Sequence, residues 1–268
     1  MPTSRRGFLV GAAVAGLGAE ALAACTEPSA PPERSVAAPT ESGAATAPSS
    51  TTTTASGTPT ATATATPVDH SDLVHGPRTT AAVALTFHGA GDPKLTRQVL
   101  AEARSAGARL TVLAVGSWLD ANPSLAKAIL DGGHELGNHT WAHLPMRRLS
   151  AAKARSEVAR GADVLHRLTG STGRWFRPSG TPSSTPTIRA AALAAGYQRC
   201  LAYDVDPRDY QDPGSDVVVS RLQKTVRAGS IVSLHLGHSG TVAALPRVFE
   251  LLHRKELRAV TVSGLVGA

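Results

Sequence analysis

The apolar residues of this 268-residue chain fall into short runs that alternate with helix-period stretches, and the alternation starts only after residue 78. Residues 83–87 (Val-Ala-Leu-Thr-Phe) have the length and content of a buried strand. Residues 94–106 place Leu95, Val99, Leu100 and Ala103 at helical spacing and stop at Gly107. A second strand is predicted at 110–115, closed by Gly116. A helix follows at 122–131, with Asn122 as N-cap, Pro123 in the first turn and Gly132-Gly133 as the stop. The pattern then predicts a strand near 135–136, a helix over 150–168, a strand at 174–177 and a helix over 184–195. A strand at 199–203, a helix over 216–227, a strand at 231–234, a helix over 243–252 and a strand at 259–262 complete it. Strand then helix, repeated with Gly at helix ends, argues for an α/β fold of parallel βαβ units. Periodicity leaves a barrel and an open doubly wound sheet both available. Either one gathers its site at the C-terminal ends of the strands.

Composition sets the domain limits. Hydrophobic residues make up 42% of the chain but aromatics only 4%, and no aromatic lies between Phe8 and Phe87. One globular domain is therefore expected over residues 79–268, which excludes two folded domains of ordinary size. Two cysteines exclude a disulfide scaffold. Residues 1–24 have the form of an export signal: Ser4-Arg5-Arg6-Gly7-Phe8-Leu9, then small apolar residues through Ala24. The paired arginines resemble a twin-arginine signal. Leu22-Ala23-Ala24-Cys25 resembles a lipobox, which makes Cys25 the expected lipidated first residue of the mature chain. Residues 25–78 are then a linker. From Ser42 to Pro67 every residue is Ser, Thr, Ala, Gly or Pro, with no large side chain to offset the entropy of ordering. A coil of that length reaches on the order of 40 Å. The expected location is the outer face of a bacterial cell membrane, near the wall, with membrane contact through the lipid anchor.

Charge adds little to the choice of partner. The formal net charge is +7. A basic exported protein is drawn to anionic headgroups or anionic wall polymers. No nucleic-acid motif accompanies the charge, and the export signal argues against a nucleic-acid partner.

The chemistry collects at predicted strand ends. His139 and His143 are four apart, which puts both imidazoles on one face if the backbone is helical there, a spacing that suits one divalent metal. His134-Glu135 lacks the second histidine of H-E-x-x-H, so His134 reads as structural. His235 follows 231–234, Arg177 follows 174–176, Asp204, Asp206 and Asp209 follow 199–203, and His88 follows 83–87. Singly these suit solvated loops; together they suit an active site. Trp141 and Trp175 are expected beside the cleft, as sugar-stacking surfaces or as ordinary packing. Cys200 reads as a small buried hydrophobe.

Four segments carry a family resemblance. They are Gly133-His134-Glu135-Leu136-Gly137-Asn138-His139-Thr140-Trp141-Ala142-His143, Phe176-Arg177-Pro178, Val205-Asp206-Pro207-Arg208-Asp209-Tyr210 and Ser233-Leu234-His235. In order and spacing they resemble the motifs of the polysaccharide deacetylases, the NodB-homology or carbohydrate esterase family 4 group, over nearly all of residues 79–268. The resemblance implies a distorted (β/α) barrel with fewer than eight full repeats. It implies that His139 and His143 bind a divalent metal, usually Zn²⁺, that polarises an acetamide carbonyl and activates a water. It implies His235 as general acid, Arg177 as a group that positions or tunes the base, and Asp206 or Asp209 as the residue orienting His235. Leu234 and Tyr210 would line the pocket for the acetyl methyl, and Trp141 would contact substrate. The implied partner is an N-acetylated cell-wall glycan.

One segment departs from the family pattern. Thr86-Phe87-His88-Gly89-Ala90-Gly91, followed by Asp92-Pro93, stands where the family has T-F-D-D-G-P. His88 replaces the base and Gly89 replaces a metal-binding Asp. Three expectations follow. His88 is the third ligand of a His₃ site, with Asp92 as base or further ligand. Alternatively His88 is the base and Asp92 helps two histidines hold the metal. In the third case the site is inactive and the protein binds glycan without turnover. The joint presence of His139, His143, Arg177 and His235 favours chemistry.

Overall fold

The computed structural model describes residues 71–267, so the export signal, Cys25 and most of the linker lie outside the described residues. Five strands form a parallel sheet: β1 (Ala82–Gly89), β2 (Thr111–Ala114), β3 (Glu135–Asn138), β4 (Ile231–His235) and β5 (Arg258–Val260). Their order is β3-β2-β1-β4, with β5 against the first half of β1. The helices are α1 (Pro93–Ser105), α2 (Gly116–Ala121), α3 (Ser124–Asp131), α4 (Ala151–Thr169), α5 (Pro186–Ala194), α6 (Ser215–Thr225), α7 (Ser239–Arg254) and α8 (Val262–Val266).

Single-residue parallel bridges carry the sheet further. Asn138 pairs with Phe176, Phe176 with Cys200, and Val205 with Val232 of β4. The pairings thus run from β4 through β1, β2 and β3 to Phe176 and Cys200, and the chain from Cys200 to Val205 leads back to β4, which closes the sheet into the expected distorted barrel. The predicted strands at 174–177 and 199–203 shrink to these bridges. Gly173 at φ 74° and Pro178, which lacks an N–H, flank the first of them and leave Phe176 to pair on both sides.

Strand alternation assigns the two faces. Val83, Leu85 and Phe87 of β1 and Val232 and Leu234 of β4 join the cluster that packs on the helices. Ala82, Ala84 and Ile231 join the other cluster, with Leu113, Trp175, Leu201 and, from α8, Val262 and Leu265. Thr86, His88, Ser233 and His235 share the parity of this inner face. At the end of the barrel the inner face changes from apolar to imidazole.

Three further expectations change. Residues 73–76, assigned to the linker, belong to the domain: Leu73 is buried and bridges Leu201, and Gly76 N–H donates to Gly229 O at 2.8 Å. One leucine and backbone pairing hold this segment, so the lack of aromatics misplaced the boundary at 79. The helix at 122–131 is preceded by a separate α2, because Asn122 leaves helical geometry (φ −133°, ψ 56°) and its side chain donates to Trp118 O. The last strand stops at Val260, since Thr261 turns the chain and caps α8 through Gly264 N–H. Among the described residues no helix is long and apolar enough to cross a membrane.

Candidate active site

The barrel's C-terminal rim carries two different walls. His88 and His235 are register partners on β1 and β4, so sheet geometry alone places them side by side. Their rings stack 4.3 Å apart at 18°. Each then meets a different set of neighbours.

The first wall is imidazole. His139 follows β3 and is fully buried. Its Nδ1 lies 2.8 Å from the carbonyl oxygen of Arg177. A carbonyl only accepts, so His139 donates through Nδ1–H and its Nε2 keeps a lone pair. That Nε2 lies 2.8 Å from His88 Nδ1. His88 Nε2 lies 3.0 Å from Ser233 Oγ. His143 joins the pair, its ring 4.9 Å from that of His139. Ligand nitrogens of His88, His139 and His143 all lie within 4.8 Å of one another.

The predicted helical face does not bring His139 and His143 together. Residues 139–145 form a loop in which Thr140 (φ 68°) and His143 (φ 55°) take left-handed backbone conformations. A β-branched residue there is strained and needs several restraints. Thr140 N–H donates to Asn138 Oδ1 at 2.8 Å, its Oγ1 to Ser179 Oγ at 3.1 Å, and its carbonyl accepts from Gly116 N–H at 2.8 Å. Asn138, itself buried, donates to Val158 O and Tyr197 Oη. Gly161 of α4 lets that helix approach, since a Cβ there would collide with Asn138 Oδ1. Downstream, Ala142 N–H donates to the buried Glu157 at 2.8 Å.

Burial dominates the protonation of this wall. It holds His88 and His139 well below the usual imidazole range, and the neighbouring histidines and Arg177 push His88 the same way. His143 is also lowered, by burial and then by His235. The three rings are therefore neutral near pH 7. Neutral imidazoles whose outer N–H is fixed by a carbonyl are the donor set a divalent metal takes. His88 and His139 fit this in a defined way. With both rings neutral, the 2.8 Å contact holds one proton, carried on His88 Nδ1. Moving that proton to His88 Nε2, where Ser233 Oγ can accept it, frees two facing lone pairs for a cation. The residues present thus fit a His₃ metal site.

The second wall pairs imidazole with carboxylate. Asp209 is buried, and its Oδ1 accepts from His235 Nδ1 at 2.8 Å. Its Oδ2 accepts from His235 N–H at 2.8 Å and from Thr241 Oγ1 at 2.6 Å. His235 is thus fixed in tautomer and orientation, with Nε2 left toward the cleft. Tyr210 meets the His235 ring edge-on at 5.2 Å and is exposed.

Arg177 lies between the walls and is buried. Its guanidinium donates to Leu201 O at 3.3 Å and Ala202 O at 3.0 Å, faces the Tyr203 ring at 5.3 Å, and leaves Nη1 without a partner. Burial lowers its pKa to about 10, so it stays charged near neutrality. It orients His139 through its carbonyl and forms no hydrogen bond to His88.

The cleft has a volume of about 260 Å³, and its lining includes His88, His143, Thr181, Tyr203, Asp206, Tyr210, Ser233 and His235. Asp206 lines it, but Asp209 is the residue on His235. Three expected site residues lie elsewhere. Asp92 is exposed and caps α1, its Oδ1 accepting from Lys94 N–H at 2.8 Å. Leu234 is core, because alternation turns it toward the helices while Ser233 and His235 face the cleft. Trp141 packs against the same core under Arg160, 4.1 Å from its ring centroid. Trp175 is also away from the cleft, buried, with Nε1–H donating to Glu135 and Ser263. His134 is structural: its Nδ1 accepts from Leu110 N–H at 3.1 Å. Cys200 is buried, which pushes its thiol up to about 12.

Sequence reasoning missed Asn138, Glu157, Ser233, Thr241 and His238. His238 lies beside the cleft 3.0 Å from Asp212 Oδ1. Asn138 and Ser233 lie inside the quoted motif segments, and Glu157 left a signal of its own, a carboxylate beside Val158 on the apolar stripe of Ala154, Gly161 and Leu165.

Known proteins are similar to this chain. A polysaccharide deacetylase family model matches residues 75–200. A peptidoglycan-N-acetylglucosamine deacetylase of Bacillus cereus is 35% identical over 194 residues, 71% of this chain and 90% of that protein. A family 4 carbohydrate esterase from Streptomyces lividans, solved with acetate, superimposes with a TM-score of 0.61 at 28% identity, covering 66% of this chain and 91% of that one. A CE4-family pseudoenzyme from Bacillus anthracis shares the fold, with a TM-score of 0.69 at 24% identity over 74% of this chain and 69% of that one. From the extent and identity of the Bacillus cereus match, together with the family model, the chain belongs to the polysaccharide deacetylase family.

Proposed function

We propose that the protein is a metal-dependent hydrolase that removes N-acetyl, or O-acetyl, groups from a cell-wall or related glycan. The observation that carries this reading is the meeting of three neutral imidazoles with a carboxylate-backed His235 across one small cleft. A divalent cation, Zn²⁺ by the chemistry of three imidazole donors, would be held by His88, His139 and His143 and would supply Lewis-acid polarisation of the acyl carbonyl. His235 acts as general acid. Asp209 stabilises its imidazolium, and Nε2–H protonates the leaving nitrogen as the C–N bond breaks. Water adds to the carbonyl carbon, and acetate and a free amine leave. Tyr210 shields His235 on the open side of the cleft.

The two roles of His88 separate by metal content. As third donor, His88→Ala loses the metal; as base, His88→Ala keeps it and loses turnover. The overall reading is tested by acetate release from chitooligosaccharides and peptidoglycan fragments, with Zn²⁺ or Co²⁺ and with a chelator. Chelator-sensitive release is expected. Absence of release on every substrate overturns it.

One observation favours a second reading, a glycan-binding protein without turnover. His88-Gly89 stands where the family pattern has a base and a metal-binding aspartate. This reading expects glycan affinity with metal well below one per chain.

We also infer, from the sequence of residues 1–78, that the protein is exported by a twin-arginine signal, anchored by lipidated Cys25 and tethered by a polar linker outside the cell membrane. Mass spectrometry of the mature N-terminus tests this, and an unmodified Cys25 overturns it.

A further inference from the structure

A second cavity lies at the opposite end of the barrel. It measures about 660 Å³ and is walled by Arg97, Arg104, Arg109 and His134, with Asp131 as its one carboxylate. Arg109 precedes β2 and His134 precedes β3, so this is the N-terminal end of the strands, away from the cleft. Asp131 is already engaged by Lys127 at 2.6 Å. Arg97 donates to Ser124 Oγ at 3.2 Å and Arg109 to Ala108 O at 3.3 Å, both uncharged acceptors. Arginines elsewhere on the surface do find carboxylates: Arg167 with Asp120, Arg247 with Asp216 and Arg254 with Glu250. Among the described residues none of Arg97, Arg104 and Arg109 does.

His134 adds a donor. Its Nδ1 accepts from Leu110 N–H, which leaves the proton of the neutral ring on Nε2. Burial lowers its pKa first, and Arg109 and Arg104 lower it further, so the positive field of the cavity reaches it. An adjoining cavity of about 380 Å³ shares Arg109 and adds His253 and Arg258. The cationic lining therefore continues past one pocket.

We propose that these adjoining cavities bind a phosphodiester-linked polyanion. Guanidinium forks match phosphate oxygens in geometry and charge. Two cavities that share Arg109 in their walls suit successive phosphates of one chain. Their concavity suits a polymer segment over a flat bilayer. The same end of the barrel receives the described N-terminal segment, where Gly76 pairs with Gly229 and His75 with Ser230 ahead of β4. A polyanion held here leaves the cleft at the other end open.

The test measures binding of a poly(glycerol phosphate) oligomer to the full chain between about 50 and 200 mM salt. Log affinity is expected to fall with log salt at a slope of roughly −2 to −3, about 0.7–0.9 for each phosphate neutralised. The double variant Arg104→Gln, Arg109→Gln is expected to lose at least about tenfold in affinity and between 1 and 2 in that slope. Both side chains are exposed, so its thermal midpoint should match the parent chain. Arg247→Gln, outside the groove, should bind as the parent does. By NMR, the oligomer should raise the titration midpoint of His134 in the parent and not in the double variant. Unchanged binding by the double variant overturns the proposal. So does binding confined to phosphatidylglycerol vesicles, or equal binding of polyglutamate or neutral chitooligosaccharide.

Discussion

His88 and His235 begin as equivalents and end as opposites. They are register partners on adjacent parallel strands, with stacked rings on the same inner face. His88 meets imidazoles, a buried guanidinium and a serine; His235 meets a buried carboxylate. The first surroundings keep the proton off and leave lone pairs. The second fixes the tautomer, with Nδ1–H held on Asp209 and Nε2 toward the cleft. Adjacent positions in one sheet thus acquire different chemistry from the loops that reach them, here the one after β3 and the one carrying Asp209.

The comparison breaks most sharply by removing each side's key group. His235→Ala should lower kcat by about 10²–10⁴ while leaving metal content unchanged, read by acetate release and metal analysis on the same preparation. His139→Ala should instead lose the metal, and activity with it. Equal metal loss in both variants would erase the distinction between the walls.

Asp209→Ala comes next. It leaves His235 Nδ1–H, His235 N–H and Thr241 Oγ1 without their acceptor. A loss of about 2–3 kcal/mol is expected in urea unfolding, with a larger proportional loss of kcat than of metal affinity. Glu157→Ala sharpens the first wall from a distance. It removes the acceptor of Ala142 N–H beside His143 and should cost about 1–2 kcal/mol with a weaker metal site, measured by competition with a chromogenic chelator.

The smallest effect is on pH. His88, His139, His143 and His134 all have lowered pKa values in the fold. Between those values and the unfolded value near 6.5 the unfolded chain binds more protons, so stability rises with pH through this window. The stabilisation is complete above about 6.5 and is lost as pH falls toward the folded values. Metal-free protein should therefore show a urea midpoint that declines from pH 7 to pH 5, and His134→Asn should flatten part of that decline.

Much of the fold was legible because it rests on local pattern. The run at 83–87 is β1, residues 231–234 lie in β4, and Gly170 closes α4 at φ 77°. The closing half of the barrel was less legible. Phe176 and Cys200 pair through one residue each, and a single bridge leaves no periodicity to read. Of the expected site residues, His88, His139, His143, Arg177, Asp206, Asp209, Tyr210 and His235 lie at the rim. Asp92, Leu234 and Trp141 do not. The first stands three residues past β1 and turns out to cap a helix, and the second sits between two cleft residues on a strand that alternates.

The sequence by itself determined the βαβ order, the strand ends that carry the polar groups and the residue types available there, because these follow from hydrophobic period and from short motifs. Only the tertiary structure decided which Asp meets His235, that a strained loop rather than a helix brings His143 to His139, and that His88 Nδ1 lies against His139 Nε2. Those outcomes depend on distances between segments 15 to 51 residues apart, such as Ala142 to Glu157, His235 to Asp209 and His88 to His139. Such distances are set by how the barrel closes, a property of packing that no local window of the chain contains.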